Sequence, residues 1–547
     1  MTSCGYGVYI DTGRYVAMYT GYQRKIRRHT EGETSSIAIS TDELYSSRKE
    51  SVADAYVLAD IPVAKGVDIY IFQGDTISDA VSQYNLFSGG GCMPSLWGLG
   101  MLYRCFAHSP QHQVIEMADY FRSHNLPCDI IGLEPGWQTN SYSCSYVWNS
   151  EKFPNPGEML DDLKTKGFHV NLWEHAFVHP SSPIYESLYS HSGDFEVWNG
   201  LVPDFALEKA GEIFSDYHRR EFTDKGITGF KLDECDGSDY VGSWSFPNCA
   251  AFPSGLDGEQ MHSLFGVLYQ RTMLKALGNV RTLSQVRNSH ACAAPYPFVL
   301  YSDLYDHSDF IRRSVNAGFS GLLWTPELRH AISREDLIRR MQSLVFSPQA
   351  LINAWYIEDG TPWDEFGAED EVRKLMECRM SLIPYLYAAF YQYYKEGIPP
   401  VRALVCDFTD DAETYYIDNE YMYGQSMLVA PMVTGEHTRR VYLPEGVWYD
   451  YWTGDKYQCG WHDITSENIP VFVRDNCIIP VAKPLQCINE DTVFELELRC
   501  YGSHGSCKLI EDDGVTYTSD FKELSVDFKG DLPENSRYIV SNIRFIC

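Results

Sequence analysis

Carboxylate side chains concentrate at a few points in the middle of the chain, and tryptophans lie close by. The stretch GFKLDECDG contains four charged side chains: Lys231, Asp233, Glu234 and Asp236. Farther on, Arg287 precedes Asp303 by sixteen residues. Two carboxylates that share a pocket can divide the roles of nucleophile and acid, because their surroundings can keep one ionised and the other protonated. Cleavage of a glycosidic bond needs this pair of groups.

The segment that carries these residues alternates short apolar runs with helix-length amphipathic stretches. Eight such runs predict strands: 95–102, 128–135, 168–175, 227–235, 281–287, 298–303, 319–325 and 350–356. Strands that alternate with helices predict an α/β protein with a (β/α)₈ TIM barrel. The connection between the fifth and sixth runs is short for a complete helix.

A TIM barrel places its active site at the C-terminal ends of its strands. Seven of the eight predicted strands end in ionisable, aromatic or amide side chains: Glu134, Trp137, Trp173, Glu174, His175, Lys231, Asp233, Glu234, Asp236, Arg287, Asp303, Trp324, Glu327, Asn353 and Trp355. Buried charges are costly unless they are paired or functional. One of them alone could be a structural ion pair, but the enrichment as a whole indicates an active site.

The flanking segments read as β-structure. Residues 1–92 contain the alternating runs YGVYIDTG, YVAMYTGY, TSSIAIS and VDIYIFQ, and they predict an N-terminal β-sandwich that is only partial. The barrel is predicted over 93–399, a proximal C-terminal β-domain over 400–483 and a distal one over 484–547. A long helix over 369–397 should close the barrel region and kink at Pro384.

Composition excludes several classes of protein. The formal net charge is −31, from 44 basic and 75 acidic residues, and such a chain repels nucleic acid and anionic membrane surfaces. No apolar run reaches 18 residues, and the N-terminus lacks the pattern of a signal peptide. The 16 cysteines form no metal-binding spacing, so no metal or cofactor is expected. Scattered thiols predict a cytoplasmic protein, or a secreted one if a leader was removed.

The motif residues resemble those of glycoside hydrolase family 31. Lys231-Leu-Asp233-Glu-Cys-Asp236 is similar to the family's strand-four motif (W/K)-x-D-x-x-(E/D), whose Asp is the nucleophile. Arg287 and Asp303 keep the family's spacing between an Arg and its acid/base Asp, although Leu300-Tyr-Ser-Asp303 replaces the usual W-(S/T)-G-D. The resemblance covers about 93–480 and implies a retaining mechanism, with Asp233 as nucleophile and Asp303 as acid/base.

The resemblance also implies sugar-binding positions, and three of them depart from the family's α-glucosidases. Glu134 and Glu174 stand where those enzymes have sugar-binding Asp residues, and Asn353 stands where many have a His. Each change moves a hydrogen-bonding group by about 1 Å, and a buried polar contact contributes about 0.5–3 kcal/mol. The chain is therefore expected to be a divergent member rather than a maltase-type one.

The remaining site residues keep alternative interpretations. Lys231 and Arg287 are expected to hold Asp233 ionised, and Lys231 is also a candidate sugar ligand. Asp236 either orients the strand-four loop or binds a hydroxyl. Trp137 and Trp324 are candidate sugar-stacking walls or core residues. Glu234 and Glu327 have no assigned role, and His175 is interpreted as structural.

The function predicted from the sequence is retaining, exo-acting hydrolysis of a non-reducing terminal α-linked hexose, with α-glucosidase-like activity on oligosaccharides. Within the family, the alternatives are an α-galactosidase or an N-acetyl-α-galactosaminidase. A protein of another class, which binds carbohydrate but has lost the chemistry, remains open, as does a homo-oligomer whose partner supplies pocket walls. A metal-dependent barrel hydrolase would need His ligands at strand ends, and only His175 lies there.

Overall fold

The computed structural model describes residues 1–2, 4–23, 55–237, 244–303, 306–517 and 520–546. Contacts between Cα atoms divide the chain into two compact units. One comprises Met1–Tyr9 and Ile71–Cys547, and the other is Ile10–Tyr70.

The N-terminal strands form two small sheets. Ala17–Gln23 pairs antiparallel with Ala55–Asp60, and Tyr6–Asp11 forms a two-stranded sheet with Asp68–Gln73. Three of the four predicted strands are confirmed, and Ala55–Asp60 is an additional strand. The fourth predicted strand, TSSIAIS, lies outside the described residues.

Eight parallel strands form the barrel, and we number them in chain order as barrel strands 1–8. They are Met101–Arg104, Ile130–Leu133, His169–His175, Ile227–Asp233, Ser284–Val286, Phe298–Leu300, Glu327–Leu328 and Ala350–Asn353. Strand 6 meets the segment before strand 7 through the backbone of Leu300, whose N–H donates to Leu323 at 2.8 Å and whose carbonyl accepts from Thr325 at 3.0 Å. These hydrogen bonds close the predicted TIM barrel.

Barrel strand 7 is shorter and later than the sequence predicts. The prediction is 319–325, whereas the regular strand is Glu327–Leu328. Gly318–Ser320 forms a 3₁₀ turn that ends at Gly321, whose φ of 65° lies in the left-handed region. The segment after it reaches strand 6 through only one isolated bridge, and Pro326 has no N–H to extend the ladder.

Helices cover the outside of the barrel. The described α-helices of the chain are Ile77–Phe87, Gln111–Ser123, Pro156–Thr165, Tyr185–Leu188, Glu208–Glu221, Gly258–Leu277, His307–Ala317, Arg334–Val345, Glu369–Ser381, Ile383–Glu396 and Leu404–Asp407. As the short spacing indicates, the described connection between strands 5 and 6 contains no helix. The long predicted helix divides at Leu382, two residues before Pro384.

Arg379 ties this terminal helix pair to the bottom of the barrel. Its guanidinium is fully buried and donates to the carbonyls of Leu99, Val345, Ser347 and Pro348 at 2.6–3.0 Å. Carbonyl acceptors satisfy this buried cation, which fixes the N-terminal ends of strands 1 and 8.

The C-terminal region is made of antiparallel sheets and one mixed sheet. Its six-stranded sheet runs in the order Val401–Ala403, Tyr421–Tyr423, Met427–Val429, Val471–Arg474, Thr438–Asp450 and Lys456–Thr465. A three-stranded sheet follows, made of Cys477–Ala482, Phe494–Tyr501 and Tyr538–Ile546. A two-stranded sheet is made of Ser506–Glu511 and Lys522–Asp527. Within the described ranges, no helix has the length and apolar character needed to cross a bilayer.

Candidate active site

Asp233 is the last residue of barrel strand 4, and its carboxylate is held from two sides. The indole N–H of Trp173 donates to Oδ2 at 2.7 Å, and the backbone N–H of Glu234 donates to Oδ1 at 2.9 Å. Burial alone would raise the pKa of Asp233, but the charges of Lys231 and Arg287 and the Trp173 hydrogen bond together lower it. The carboxylate is therefore ionised at neutral pH, as a nucleophile must be.

Arg287 joins three acidic side chains through its three guanidinium nitrogens. Nη1 lies 3.5 Å from Asp233, Nη2 lies 2.6 Å from Asp303, and Nε lies 3.2 Å from Asp236. Burial opposes the charge of Arg287, but these carboxylates raise the pKa of the guanidinium overall. One cation thus brings the two carboxylates predicted to be catalytic to the same side of the barrel mouth.

Asp303 follows barrel strand 6 and is the more open of the two candidate catalytic carboxylates. Its side chain is 56% exposed, whereas that of Asp233 is 10% exposed. Besides Arg287, it lies 3.9 Å from Nη1 of Arg329. A carboxyl in contact with solvent can exchange protons with water, which an acid/base group must do in each catalytic cycle.

Beneath these groups, the barrel interior holds a second set of buried charges. Lys231 Nζ lies 3.3 Å from Oε1 of Glu134, and the same oxygen accepts a hydrogen bond from Arg104. Arg104 is fully buried and also donates to Asn171 at 2.6 Å. Two cations therefore fix Glu134 in the position that the resemblance assigns to a sugar ligand.

Glu327, the first residue of barrel strand 7, lies beside Asn353, the last residue of strand 8. The Asn353 amide donates to Oε1 of Glu327 at 3.0 Å, and both side chains are almost fully buried. Burial raises the pKa of Glu327 to about 7, although Lys231 opposes the shift. Oε2 of Glu327 and Oδ1 of Asn353 have no hydrogen-bond partner, so this pair has free capacity to bind a ligand hydroxyl.

The structure corrects the prediction for Glu174. Successive residues of a strand point to opposite faces, and Trp173 takes the interior position next to Asp233. Glu174 therefore points to the helix layer, where it accepts hydrogen bonds from Tyr269 at 2.6 Å and from His218 at 3.1 Å. It is a fully buried structural residue rather than a sugar ligand.

The two predicted stacking tryptophans also lie away from the pocket. Trp137 is 1% exposed, donates its indole N–H to the Trp173 carbonyl at 2.7 Å and packs edge-on against Trp148 and Phe222. The ring of Trp324 is buried, with the guanidinium carbon of Arg313 5.1 Å from its centroid. Neither ring offers an open face, so the core interpretation holds for both.

Two residues of the site, Arg104 and Tyr301, were not predicted from the sequence. Arg104 lies two residues beyond the predicted end of strand 1, because the observed strand, Met101–Arg104, begins and ends later than the predicted one. Tyr301 faces Asp233 without a hydrogen bond of ordinary geometry, and Lys231 lies 5.0 Å from the centroid of its ring. Trp173 was among the predicted strand-end residues, but its hydrogen bond to Asp233 was not predicted. His175 is fully buried, as its structural interpretation requires.

Glu234 is a third carboxyl group next to the candidate nucleophile. Its φ of 52° lies in the left-handed region, and the Tyr142 hydroxyl donates to its Oε1 at 3.3 Å. Burial and then the charge of Asp233 raise the pKa of Glu234 to about 8. The group is therefore neutral over most of the physiological pH range, and it does not compete with Asp233 for the positive charge of Arg287.

This shifted pKa predicts a pH-dependent effect of Glu234→Gln on stability. Between pH 4.5 and 8 the folded wild type binds more protons at Glu234 than the unfolded chain does, so this contribution to stability is lost as the pH rises. Gln carries no such proton. The melting temperature of Glu234→Gln minus that of the wild type should rise by about 2 °C or more between pH 5 and 8.5. A difference that is constant with pH would contradict the shifted pKa.

The described residues contain no group of three or more His, Cys, Asp or Glu side chains arranged to hold a metal ion. The ionisable groups described above are ionised and neutral carboxyl groups, the buried Arg104 and Lys231, and the partly buried Arg287.

Comparisons with known proteins agree with this arrangement. A family model described as the glycosyl hydrolases family 31 TIM-barrel domain matches residues 91–389. A second, described as the glycosyl hydrolase family 31 C-terminal domain, matches residues 397–479.

Curated relatives are similar at low identity. Alpha-glucosidase 2 of Bacillus thermoamyloliquefaciens is 27% identical over 517 residues, which cover 87% of this chain and 65% of the relative. An alpha-xylosidase of Saccharolobus solfataricus is 25% identical, with 83% of this chain and 65% of the relative covered. Neutral alpha-glucosidase AB of Sus scrofa is 26% identical, with 82% and 52% covered. The chain thus spans between half and two thirds of the length of these relatives.

Solved structures show the same fold. A dextranase of Flavobacterium johnsoniae in complex with glucose superposes with a TM-score of 0.79 at 21% identity, covering 96% of this chain and 67% of the dextranase. An alpha-xylosidase from Xanthomonas citri gives a TM-score of 0.74 at 20% identity, with 90% and 60% covered.

Proposed function

The chain belongs to glycosyl hydrolase family 31, and from this premise we propose that it is a retaining, exo-acting α-glycosidase that releases a non-reducing terminal α-linked hexose. Its preferred substrates are α-glucosides of the oligosaccharide class. The observation that carries the proposal is the contact of one guanidinium, that of Arg287, with both Asp233 and Asp303.

In the first step, a carboxylate oxygen of Asp233 attacks C1 of the terminal sugar, and the C1–O glycosidic bond breaks. Asp303 gives its proton to the departing oxygen, and a covalent ester joins Asp233 to the sugar. In the second step, Asp303 takes a proton from water, the water oxygen bonds to C1, and the ester bond to Asp233 breaks. Two displacements at C1 return the α configuration.

The ion pairs support separate roles for the two carboxylates. Lys231 and Arg287 lower the pKa of Asp233, which keeps the attacking oxygen ionised and unprotonated. Asp303 contacts the same arginine from an exposed position and can exchange its proton with water. Retention requires the two carboxyl groups to approach to about 5–5.5 Å in the substrate complex, and a separation near 8 Å would contradict it.

The burial of four polar side chains supports exo action. Glu134, Lys231, Glu327 and Asn353 are all less than a tenth exposed. We expect their charged and amide groups to bind the hydroxyls of a single terminal sugar. The polar partners of this sugar are expected to be Glu134, Lys231 and Asn353.

The names of the curated relatives support one choice of terminal sugar. The curated relatives are named alpha-glucosidases and alpha-xylosidases, which favours α-glucosides with α-xylosides as the second candidate. An α-galactoside or an N-acetyl-α-galactosaminide requires different contacts at C4 or C2 of the sugar. The changed residues Glu134 and Asn353 could provide such contacts, so these two substrates are the alternatives.

A panel of nitrophenyl α-glycosides tests the proposal. The highest kcat/KM is expected for the α-glucoside, with the α-xyloside next and the β-glucoside inert, and a chelator should leave the rates unchanged. A preference for the α-galactoside or the N-acetyl-α-galactosaminide would replace the sugar and keep the mechanism. Binding of oligosaccharide without turnover of any α-glycoside would instead identify a binding protein that has lost the chemistry.

A further inference from the structure

Three aromatic rings stand together at the mouth of the barrel, and we call them the rim cluster: Tyr142, Trp198 and Trp244. They come from the loops that follow barrel strands 2, 3 and 4. The ring centroid of Trp198 lies 4.9 Å from that of Tyr142 and 5.1 Å from that of Trp244, and both pairs meet edge to face. Three successive loops therefore converge on one aromatic surface.

The rim cluster is open to solvent. Tyr142 is 44% exposed and Trp244 is 42% exposed, while Trp198 between them is partly buried. Exposed apolar side chains are common one at a time, but a contiguous group at the mouth of a pocket marks a binding surface. Trp and Tyr are suited to this task because they offer a large apolar face with few rotatable bonds.

Trp198 occupies a position that costs conformational energy. It forms, with Asn199, the two-residue turn between the strands Ser192–Val197 and Gly200–Pro203, and both turn residues have left-handed φ values, 50° and 60°. Gly or Asn is usual at such positions, and a Trp there is strained. Strain of this kind persists where the surroundings fix it, and it is concentrated at functional sites. Here the Ser143 hydroxyl holds the turn by donating to the Trp198 carbonyl at 3.2 Å.

The rim cluster is connected directly to the candidate nucleophile. The ring of Tyr142 lies 5.5 Å from that of Trp173, the residue that donates to Asp233. The Tyr142 hydroxyl donates to Glu234, which follows Asp233 in the chain. A ligand bound against the exposed rings is thus within one side chain of the reacting carboxylate.

We propose that the rim cluster binds the sugar on the leaving-group side of the scissile bond, an inference that rests on the proposed function. The buried polar residues below Asp233 match the hydroxyls of the terminal sugar, whereas the exposed rings lie at the opening, where the next unit of the substrate must be. The C–H face of a neutral pyranose packs on an aromatic ring and leaves its equatorial hydroxyls in water. The ligand class is accordingly the second pyranose unit of an α-linked oligosaccharide.

Two substrates of the same sugar separate this role from the catalytic step. An α-glycosyl fluoride has a leaving group of one atom and occupies only the terminal-sugar position, whereas the corresponding α-linked disaccharide also occupies the proposed position. For Trp244→Ala, kcat/KM for the disaccharide should fall about tenfold or more, while kcat/KM for the fluoride should stay within about twofold of the wild type.

Two further variants guard against a general loss of folding. Trp244→Phe retains a ring and should recover most of the disaccharide activity. Trp461 is similarly exposed, at 39%, but lies in the C-terminal six-stranded sheet, and Trp461→Ala should change neither substrate. Equal losses on both substrates for Trp244→Ala, or no loss on the disaccharide, would overturn the proposal while leaving the proposed function intact. A wild type that hydrolyses neither substrate would remove the proposed function and this inference with it.

Discussion

Asp233→Asn is expected to lower kcat for α-glycoside hydrolysis by at least about 10³-fold, with little change in sugar binding. The amide keeps the size of the side chain and can still accept from the Trp173 indole, but it cannot form the ester with C1. The loss should therefore appear in kcat rather than in affinity. Steady-state rates on the best nitrophenyl α-glycoside, together with calorimetric titration of a non-hydrolysed sugar, measure both quantities.

A matched substitution three residues away provides the control for this variant. Asp236 contacts Arg287 at Nε, at 3.2 Å, whereas the other two guanidinium nitrogens face Asp233 and Asp303. Asp236→Asn should therefore cost much less activity than Asp233→Asn. Adding azide to Asp233→Gly should give a second signature, because azide can enter the space left by the carboxylate and attack C1 to form a β-glycosyl azide from an α-glycosyl fluoride. Wild-type activity in Asp233→Asn would remove Asp233 from the reaction.

Arg287→Met is expected to lower kcat/KM by about 10²–10³-fold and to move the acidic limb of its pH profile upward. The guanidinium helps to hold the pKa of Asp233 below its usual value despite burial, so its loss lets that pKa rise. Asp233 reacts only when it is ionised, and its ionisation would then need a higher pH. The pH dependence of kcat/KM between pH 3 and 8 reports this shift in the free enzyme.

Arg329→Met serves as the control for the loss of a cation at the mouth of the site. Arg329 lies 3.9 Å from Asp303, whereas the charges that lower the pKa of Asp233 are those of Lys231 and Arg287, so the removal of Arg329 should leave the acidic limb in place and cost far less activity. An acidic limb that does not move in Arg287→Met would contradict the assigned role of Arg287, even if the rate fell.

The sequence was sufficient to predict the barrel and the strand that ends in Asp233, because both depend on local patterns. Apolar runs that alternate with amphipathic helices require only short-range periodicity to be recognised. The position of Asp233 at the end of strand 4 follows from the same pattern, and the spacing of Arg287 and Asp303 follows from two further strand ends. Even the break near Pro384 is a property of one residue type.

The direction of single side chains could not be predicted in the same way. Glu174 and Trp173 are adjacent, and a shift of one residue in the register of strand 3 would exchange their faces. Barrel closure decides that Trp173 points to Asp233 and Glu174 to the helices. Trp137 and Trp324 were wrong as stacking walls for a related reason, because the folded chain packs Phe222 and Arg313 against their rings.

The buried polar contacts of the pocket were hidden for the same physical reason. Arg104 and Glu134 come from different strands, and so do Glu327 and Asn353. Each pair forms only when the barrel closes and sets the register of neighbouring strands. The spacing of these residues in the sequence does not indicate which of them form pairs.

Covalent trapping of the nucleophile is the most direct test of the double displacement at Asp233. A 5-fluoro-α-glycosyl fluoride of the sugar that the chain hydrolyses should form a slowly hydrolysed ester, and peptide mass spectrometry should locate one glycosyl adduct at Asp233 in GFKLDECDG. The first product released from the unmodified substrate should be the α anomer. An adduct on another carboxylate, or release of the β anomer without any adduct, would contradict Asp233 as the nucleophile of a retaining enzyme.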